Sequence, residues 1–414
     1  MGFVDNYIKN HDIRKIAVSI IIFGLSLLTF IHLTIAAFQE RSLDFYAFLT
    51  GAKILVENKQ ELYNPYVQYQ VQEELFKEGF AYERAFMAYI NLPLSAVPYI
   101  PFLIIPPHVS AELVHLGTLL ILIYCITRLY KFHKIKPLSG VTLVLAFFYP
   151  LYSSIHLAQI GTLILLVLTE MYLAYMKRQT TKLSLLASLL ILKIQYLPIV
   201  AFIYAIHPER KKYICIAGPL TLIFLAANYF IMGPDLVAQY IALLETYQTV
   251  PERFGMAYEK GLDIYSTLQY FFDVSEKMKF VLPIFLGAHL AMFSFMRSYK
   301  FDQKRKDLLF YFIILYSLIL SPHTMAADFV FLIIPIIGLL HKTRSKVFYA
   351  ITVFVLSLFF FYTAYATQWA HTIMISIYAL LLLSSTLKKP GKIGRWVQNS
   401  MVGDPGLEPG TARV

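Results

Sequence analysis

Long apolar runs separated by short polar connections dominate the chain. The first run, from Ile16 to Phe38, follows a polar segment that ends in Arg14 and Lys15. It is too long for the core of a signal peptide, so we interpret it as an uncleaved first transmembrane helix. The further runs interpreted as crossings are 111–130, 138–157, 159–176, 213–232, 278–297, 307–321, 326–341, 347–367 and 369–387. The pattern predicts an all-α polytopic membrane protein with about ten full crossings.

Two other apolar stretches, 84–107 and 183–206, are predicted to be broken or re-entrant. The first contains five prolines, which interrupt a helix. The second lies between two basic segments that both have cytoplasmic character. We therefore expect two short helices that turn back near Lys193, with protein or a wet cavity covering the irregular backbone.

Composition and charge support a membrane protein and exclude other classes. Hydrophobic residues make up 58% of the 414 residues, charged residues 15%, and the mean hydropathy is +0.61. These values exclude an ordinary soluble domain and a disordered chain. The net charge of +11 comes from Lys and Arg scattered in short clusters between apolar runs. Such clusters set topology, so we expect no nucleic-acid partner.

The same charges orient the chain in a plasma membrane. The two longest hydrophilic connections, 39–83 and 233–277, contain more acidic than basic residues, and we assign them to the outer face. Both termini are then cytoplasmic. Residues 1–387 form one membrane domain, and 388–414 form a basic, Pro/Gly-rich tail that we predict to be disordered.

Both outer connections have apolar residues at helical spacing, so we predict amphipathic helices in them. The residues that carry this pattern are Tyr66, Tyr69, Leu75 and Phe76 in the first connection and Leu236, Tyr240, Leu243, Leu244 and Tyr247 in the second.

Asp44 and Lys193 are the first candidates for chemistry. Asp44 follows the first crossing closely and would lie at the membrane surface. It is either a solvated or helix-capping carboxylate or a catalytic one. Lys193 stands inside an apolar stretch, where a charge is costly and needs an anion. It either forms an ion pair with Glu170, extends to the interface, or binds a substrate anion. Gln195 is a possible hydrogen-bond partner beside it.

A polar connection at 321–328 joins two late crossings at the outer face and is expected to border the same cavity. It contains His323 and Asp328. The histidine either binds an anion or transfers a proton, or makes a structural hydrogen bond. Gln159 lies at another outer turn and is an equally nonspecific candidate.

Motifs for soluble cofactor chemistry are missing from the sequence. It contains no zinc signature, phosphate-binding glycine loop, nucleophile elbow or dinucleotide fingerprint. The first outer loop has no compact Asp-x-Asp for a metal bound to a diphosphate. We therefore expect metal-independent chemistry without a cofactor.

From about residue 16 to 387 the chain resembles the GT-C class of membrane glycosyltransferases, and within it the polyprenol-phosphate-mannose-dependent family 87. Five places carry the resemblance: Leu43-Asp44-Phe45-Tyr46 with Leu62-Tyr63-Asn64-Pro65-Tyr66, Tyr89-Ile90-Asn91-Leu92-Pro93, Gln159, Leu192-Lys193, and Ser321-Pro322-His323.

The resemblance implies a GT-C-like helical bundle and a role for each matched residue. Asp44 corresponds to the general base. Lys193 and His323 are candidates for holding the donor phosphate. Candidate contacts to the sugar or acceptor are Tyr46, Gln159, Gln195 and Asp328.

The implied activity is inverting transfer of a hexose, with mannose as the expected sugar, from a polyprenyl-phosphate donor to an extracytoplasmic glycolipid or glycan. A transporter or flippase of lipid-linked sugars is the alternative, because it would also need a lysine within the membrane and an apolar groove. A non-catalytic scaffold is a third interpretation.

Overall fold

The computed structural model describes residues 43–78, 86–135, 148–249, 278–298, 305–321 and 324–342, together with a few single residues outside these ranges. Within these ranges the chain forms helices, turns and short connections and no strand. The all-α prediction is therefore confirmed for the part that the structure describes. The predicted features that lie outside it are the crossings at 16–38, 347–367 and 369–387, the tail at 388–414, and most of the crossing at 138–157 before Phe148.

The α-helices are α1 (Leu43–Glu57), α2 (Pro65–Glu78), α3 (Pro107–His133), α4 (Tyr149–Leu157), α5 (Gly161–Met176), α6 (Thr180–Ser188), α7 (Pro198–Ile206), α8 (Arg210–Thr249), α9 (Met278–Ser298), α10 (Lys306–Leu320) and α11 (Ile333–Lys342). Short 3₁₀ segments lie at Lys59–Glu61, Pro93–Ser95, Val97–Ile104, Leu189–Tyr196 and Ala326–Leu332.

Two of the described helices are long and apolar enough to cross a membrane, namely α3 and the part of α8 at Arg210–Leu244. Large apolar side chains project from α8 without cover, and Phe230 is 80% exposed and Leu222 65% exposed. An apolar surface of this kind fits contact with lipid better than contact with water. The protein is therefore membrane-associated, and the full set of about ten crossings stays a prediction.

The break predicted near Lys193 is confirmed. The stretch 183–206 consists of the end of α6, the 3₁₀ segment Leu189–Tyr196 and α7. Lys193 itself has φ −136° and ψ 85°, outside the helical region. The backbone therefore changes direction at the one cationic residue of the stretch.

The proline-rich stretch 84–107 is likewise irregular. It forms the 3₁₀ segments Pro93–Ser95 and Val97–Ile104 before α3 begins. Pro101 lies inside the second segment, where its ring and missing N–H oppose an α-helix. Whether this stretch or 183–206 crosses the membrane or re-enters it stays a prediction.

The predicted outer-loop helices are present. In α2, Leu75 and Phe76 are buried whereas Tyr66 and Tyr69 are exposed. α8 continues past residue 232 through a bend at Gly233, whose φ of 68° favours glycine. Beyond the bend, Leu236 and Leu243 are buried in the core, as the helical spacing predicts.

The buried side chains form two apolar clusters. One contains side chains of α5, α7, α10 and α11, and the other is built around α1, Tyr63 and Tyr89. Leu192 and Leu197, on either side of the break, pack against both clusters. The broken segment thus lies where the two clusters meet, and the candidate site is built around it.

Candidate active site

The first outer connection and the start of the proline-rich stretch are joined through Gln68. Its side-chain oxygen accepts the Tyr89 N–H at 2.8 Å, and its amide nitrogen donates to the carbonyls of Leu62 at 2.7 Å and Tyr89 at 3.0 Å. The Tyr63 hydroxyl adds a 3.0 Å hydrogen bond to the Asn91 carbonyl. These bonds fix the segment at 89–91 against the start of α2.

Two serine hydroxyls hold the broken segment from outside. Ser95 Oγ donates to the Leu192 carbonyl at 2.5 Å, and Ser321 Oγ donates to the Gln195 carbonyl at 3.0 Å. A helix break takes backbone carbonyls out of regular helical hydrogen bonding, and buried carbonyls need donors. The chain thus supplies them from the proline-rich stretch and from the end of α10.

Lys193 is buried, with 7% of its surface exposed, and its ammonium is the centre of a polar cluster. It forms an ion pair with the Asp328 carboxylate and lies 3.4 Å from the Gln159 side-chain oxygen. It also lies 5.7 Å from the centre of the Tyr196 ring, within reach of a cation–π interaction. The cluster therefore joins the break to the turn before α5 and to the segment before α11.

Glu170 is not the partner of Lys193, so that alternative is wrong. Glu170 binds Arg128 at 2.9 Å and Lys182 at 2.5 Å. The physical reason is position along α5. Gln159 precedes the first turn of α5, whereas Glu170 lies about 14 Å along the axis from Gly161, the first residue of α5.

Asp328 is 2% exposed and has a separate contact for each carboxylate oxygen. Oδ1 binds Lys193, and Oδ2 accepts the Met325 N–H at 3.2 Å at the start of the segment Ala326–Leu332. A Cβ at Gly161 would lie 3.5 Å from Oδ1, so the start of α5 is also adjacent. The carboxylate is therefore held from the backbone side while it binds the ammonium.

Asp44 lies in the first turn of α1, where a carboxylate stabilises the helix end. Burial raises the pKa of Asp44 to about 7, an effect that Lys193 opposes and Asp328 reinforces. Both charged groups are thus close enough to act on Asp44. The structure brings together Asp44, Lys193, Gln159 and Asp328, four residues predicted from sequence as candidates.

The remaining candidates have different surroundings. Tyr46 is 1% exposed, and its ring packs 4.7 Å from that of Phe76. Gln195 contributes its backbone carbonyl to the bond with Ser321, and its side chain is partly buried. His323 lies outside the described residues.

Sequence reasoning missed Ser95 and the function of the Ser321 hydroxyl. Ser95 is one of the few polar residues in an apolar, proline-rich stretch, and that isolation is the signal that marks it. Its partner, a backbone carbonyl 97 residues away in sequence, has no sequence signature.

Comparison with known proteins gives one match. The sequence model of glycosyltransferase family 87 matches residues 89–322, which is more than half of the 414 residues. The matched range includes Gln159, Lys193 and Ser321. No curated protein sequence and no solved structure matches the chain. The chain therefore belongs to glycosyltransferase family 87 and is a glycosyltransferase.

Proposed function

We propose that this glycosyltransferase moves a hexose, mannose in our assignment, from a polyprenyl-phosphate donor to a glycolipid or glycan on the extracytoplasmic face. The transfer inverts the anomeric centre and needs no metal. The observation that supports the proposal is the electrostatic interaction of Asp44 with the buried Lys193, which together would supply a proton acceptor and a cation to the substrate.

Asp44 acts as the general base. The acceptor hydroxyl oxygen attacks the anomeric carbon as the bond from that carbon to the phosphate oxygen breaks, and the hydroxyl proton moves to the Asp44 carboxylate. A pKa near 7 suits this role, because the carboxylate is ionised for a substantial fraction of the time and still binds a proton well.

Lys193 and His323 hold the donor phosphate. The leaving group departs as polyprenyl phosphate, which is stable as an anion, so it needs electrostatic stabilisation and no carboxylic acid to protonate it. The buried ammonium of Lys193 suits this task, because a charge in a low-dielectric site acts more strongly than one in water.

The proposed sugar or acceptor contacts are Gln159, Gln195 and Tyr46, and Asp328 adjoins Gln159. Gln159 and Asp328 adjoin the ammonium, so a phosphate held by Lys193 would bring the attached sugar next to them. An amide such as that of Gln159 both donates to and accepts from sugar hydroxyls. Tyr46 and Gln195 stay sequence-based assignments.

A lipid-linked donor accounts for the membrane setting. The isoprenoid tail stays among apolar helices while the phosphate and sugar enter the polar cluster. In the proposed topology about ten helices cross the plasma membrane, both termini are cytoplasmic, and the connections 39–83 and 233–277 face outward. Membership of family 87 favours glycosyl transfer over the transporter alternative.

The test is product formation by purified protein in detergent. Wild type, Asp44→Asn and the matched control Asp235→Asn, which changes an exposed carboxylate, are incubated with synthetic polyprenyl-phosphate-mannose and a pooled glycolipid fraction. We expect mass spectrometry to show a product one hexose heavier with wild type and the control, and none with Asp44→Asn.

Two outcomes would contradict the proposal. Turnover by Asp44→Asn at the wild-type rate would remove Asp44 as the base. Failure of wild type to consume any polyprenyl-phosphate sugar would remove the donor class, and transport in sealed liposomes would then be measured.

A further inference from the structure

We propose that Asp328 is a positioning residue: it holds the Lys193 ammonium at the helix break in the orientation that receives the donor phosphate. This inference rests on the proposed function, because it assigns Lys193 to the donor phosphate. It replaces a direct sugar contact as the principal role of Asp328.

The geometry supports a holding role because Asp328 is itself fixed. Its Oδ2 is bound to the Met325 N–H at 3.2 Å, and only Oδ1 is directed to Lys193. The side chain is 2% exposed, so little space is left for another rotamer. Lys193, in contrast, has a long side chain on a non-helical residue, and fixing such a side chain in one orientation costs more conformational entropy than fixing an aspartate.

The ammonium retains bonding capacity in this arrangement. It has three N–H groups, and among the described residues it contacts the oxygens of Asp328 and Gln159. These two contacts fix the orientation of the ammonium, so the direction of its third N–H is fixed as well. A phosphate oxygen can then accept a hydrogen bond from that N–H. Asp328 thus both compensates the buried charge and sets its direction.

The same carboxylate acts on Asp44. The charged and titratable groups that face Asp44 are Lys193 on the broken segment, Asp328 on the segment before α11 and Tyr99 on the segment Val97–Ile104. Lys193 lowers the pKa of Asp44 and Asp328 raises it. The two members of the pair therefore have opposite effects on the proposed base.

The test is a double-mutant cycle with Asp328→Asn, Lys193→Gln and the double variant. Asp235→Asn and Lys211→Gln change exposed residues of the same types and serve as controls. The full-length protein is assayed in detergent for thermal unfolding, for kcat and KM with polyprenyl-phosphate-mannose, and for the pH dependence of kcat/KM.

We expect Asp328→Asn and Lys193→Gln each to raise the donor KM about tenfold, the factor typical of losing one charge-assisted hydrogen bond. The double variant should be no worse than Lys193→Gln, because Asp328 acts through Lys193. The acidic limb of kcat/KM should move to lower pH in Asp328→Asn and to higher pH in Lys193→Gln. Independent effects on KM, or an acidic limb that stays in place in both variants, would overturn the proposal.

Thermal unfolding separates this inference from the proposed function. The ion pair predicts that each single variant unfolds at a lower temperature and that the double variant regains part of the loss. If Asp328→Asn does not fold, its recovery in the Lys193→Gln background supports the pair, and no recovery overturns it. A wild-type protein that uses no polyprenyl-phosphate sugar would remove the proposed function, whereas the unfolding cycle would still decide whether Asp328 holds Lys193.

Discussion

Ser321 donates a 3.0 Å hydrogen bond to the carbonyl of Gln195, two residues after Lys193, while Ser95 binds the carbonyl of Leu192 just before it. The two bonds bracket the lysine. They tie the break to segments that are 126 and 97 residues away in sequence. The position of the cation is therefore set by the proline-rich stretch and the end of α10 together.

We expect Ser95→Ala and Ser321→Ala to destabilise the protein and to raise the donor KM. Each change removes the side-chain donor of a partly buried carbonyl, at a cost of about 1 kcal/mol. The matched control is Ser188→Ala, because Ser188 is buried but bonds to the Leu185 carbonyl within its own helix. Thermal unfolding and donor titration check both effects. Losses no larger than those of the control would show that the bonds do not hold the break.

Asp44→Asn should remove turnover without weakening the fold. The loss of a general base is expected to lower kcat by about 10² to 10⁴-fold.

The effect of Asp44 on folding stability follows from its raised pKa in the folded state. Asp44 is harder to ionise in the folded protein than in the unfolded chain, so its contribution becomes less favourable as pH rises from about 4 to about 7. Asparagine removes that penalty, and Asp44→Asn should unfold no earlier than wild type at pH 8. A lower unfolding temperature there would contradict this account.

The pH dependence of kcat/KM should show an acidic limb near pH 7. Below that pH the Asp44 carboxyl is protonated and cannot take the proton from the hydroxyl of the acceptor substrate. Activity therefore falls about tenfold for each further pH unit. The measurement is initial rate against pH at low donor concentration in a constant-ionic-strength buffer. An acidic limb near pH 4 would mean that Asp44 is solvated or that another group is the base.

Much of this site follows from the sequence because its signals are local. A lysine in an apolar stretch requires an anion and irregular backbone, and both are present at Lys193. The sequence did not show which carboxylate pairs with Lys193, because Glu170 and Asp328 carry the same charge. Their distances from Lys193 depend on how α5 and the segment before α11 pack. The serine contacts were missed for the same reason, since their acceptors are backbone carbonyls.

Glu170→Gln should lower stability and leave the donor KM unchanged. Glu170 joins α5 to α3 and α6 through Arg128 and Lys182, well away from Lys193. Because both cations are partly exposed, the loss should be modest, about 1 to 2 kcal/mol. Glu209→Gln, at a more exposed carboxylate, is the control. A clear rise in donor KM for Glu170→Gln would show that this ion-pair group communicates with the site.

Gly51→Ala should destabilise the outer part of the site through Tyr89. A Cβ at position 51 would lie 2.6 Å from the Tyr89 ring, closer than atoms of real side chains approach. The ring has little freedom to move, because its hydroxyl donates to the Leu92 carbonyl at 2.6 Å and its backbone is held by Gln68. The expected loss is about 1 to 3 kcal/mol, typical of overpacking, and is measured by thermal unfolding.

Gly117→Ala is the control, since a Cβ there would contact nothing within 4 Å. Replacing the ring in Gly51→Ala/Tyr89→Leu should cost less than the sum of the two single changes, because the smaller side chain removes the clash. Additive losses would contradict the clash, because they would mean that α1 shifts away from Tyr89 as a whole.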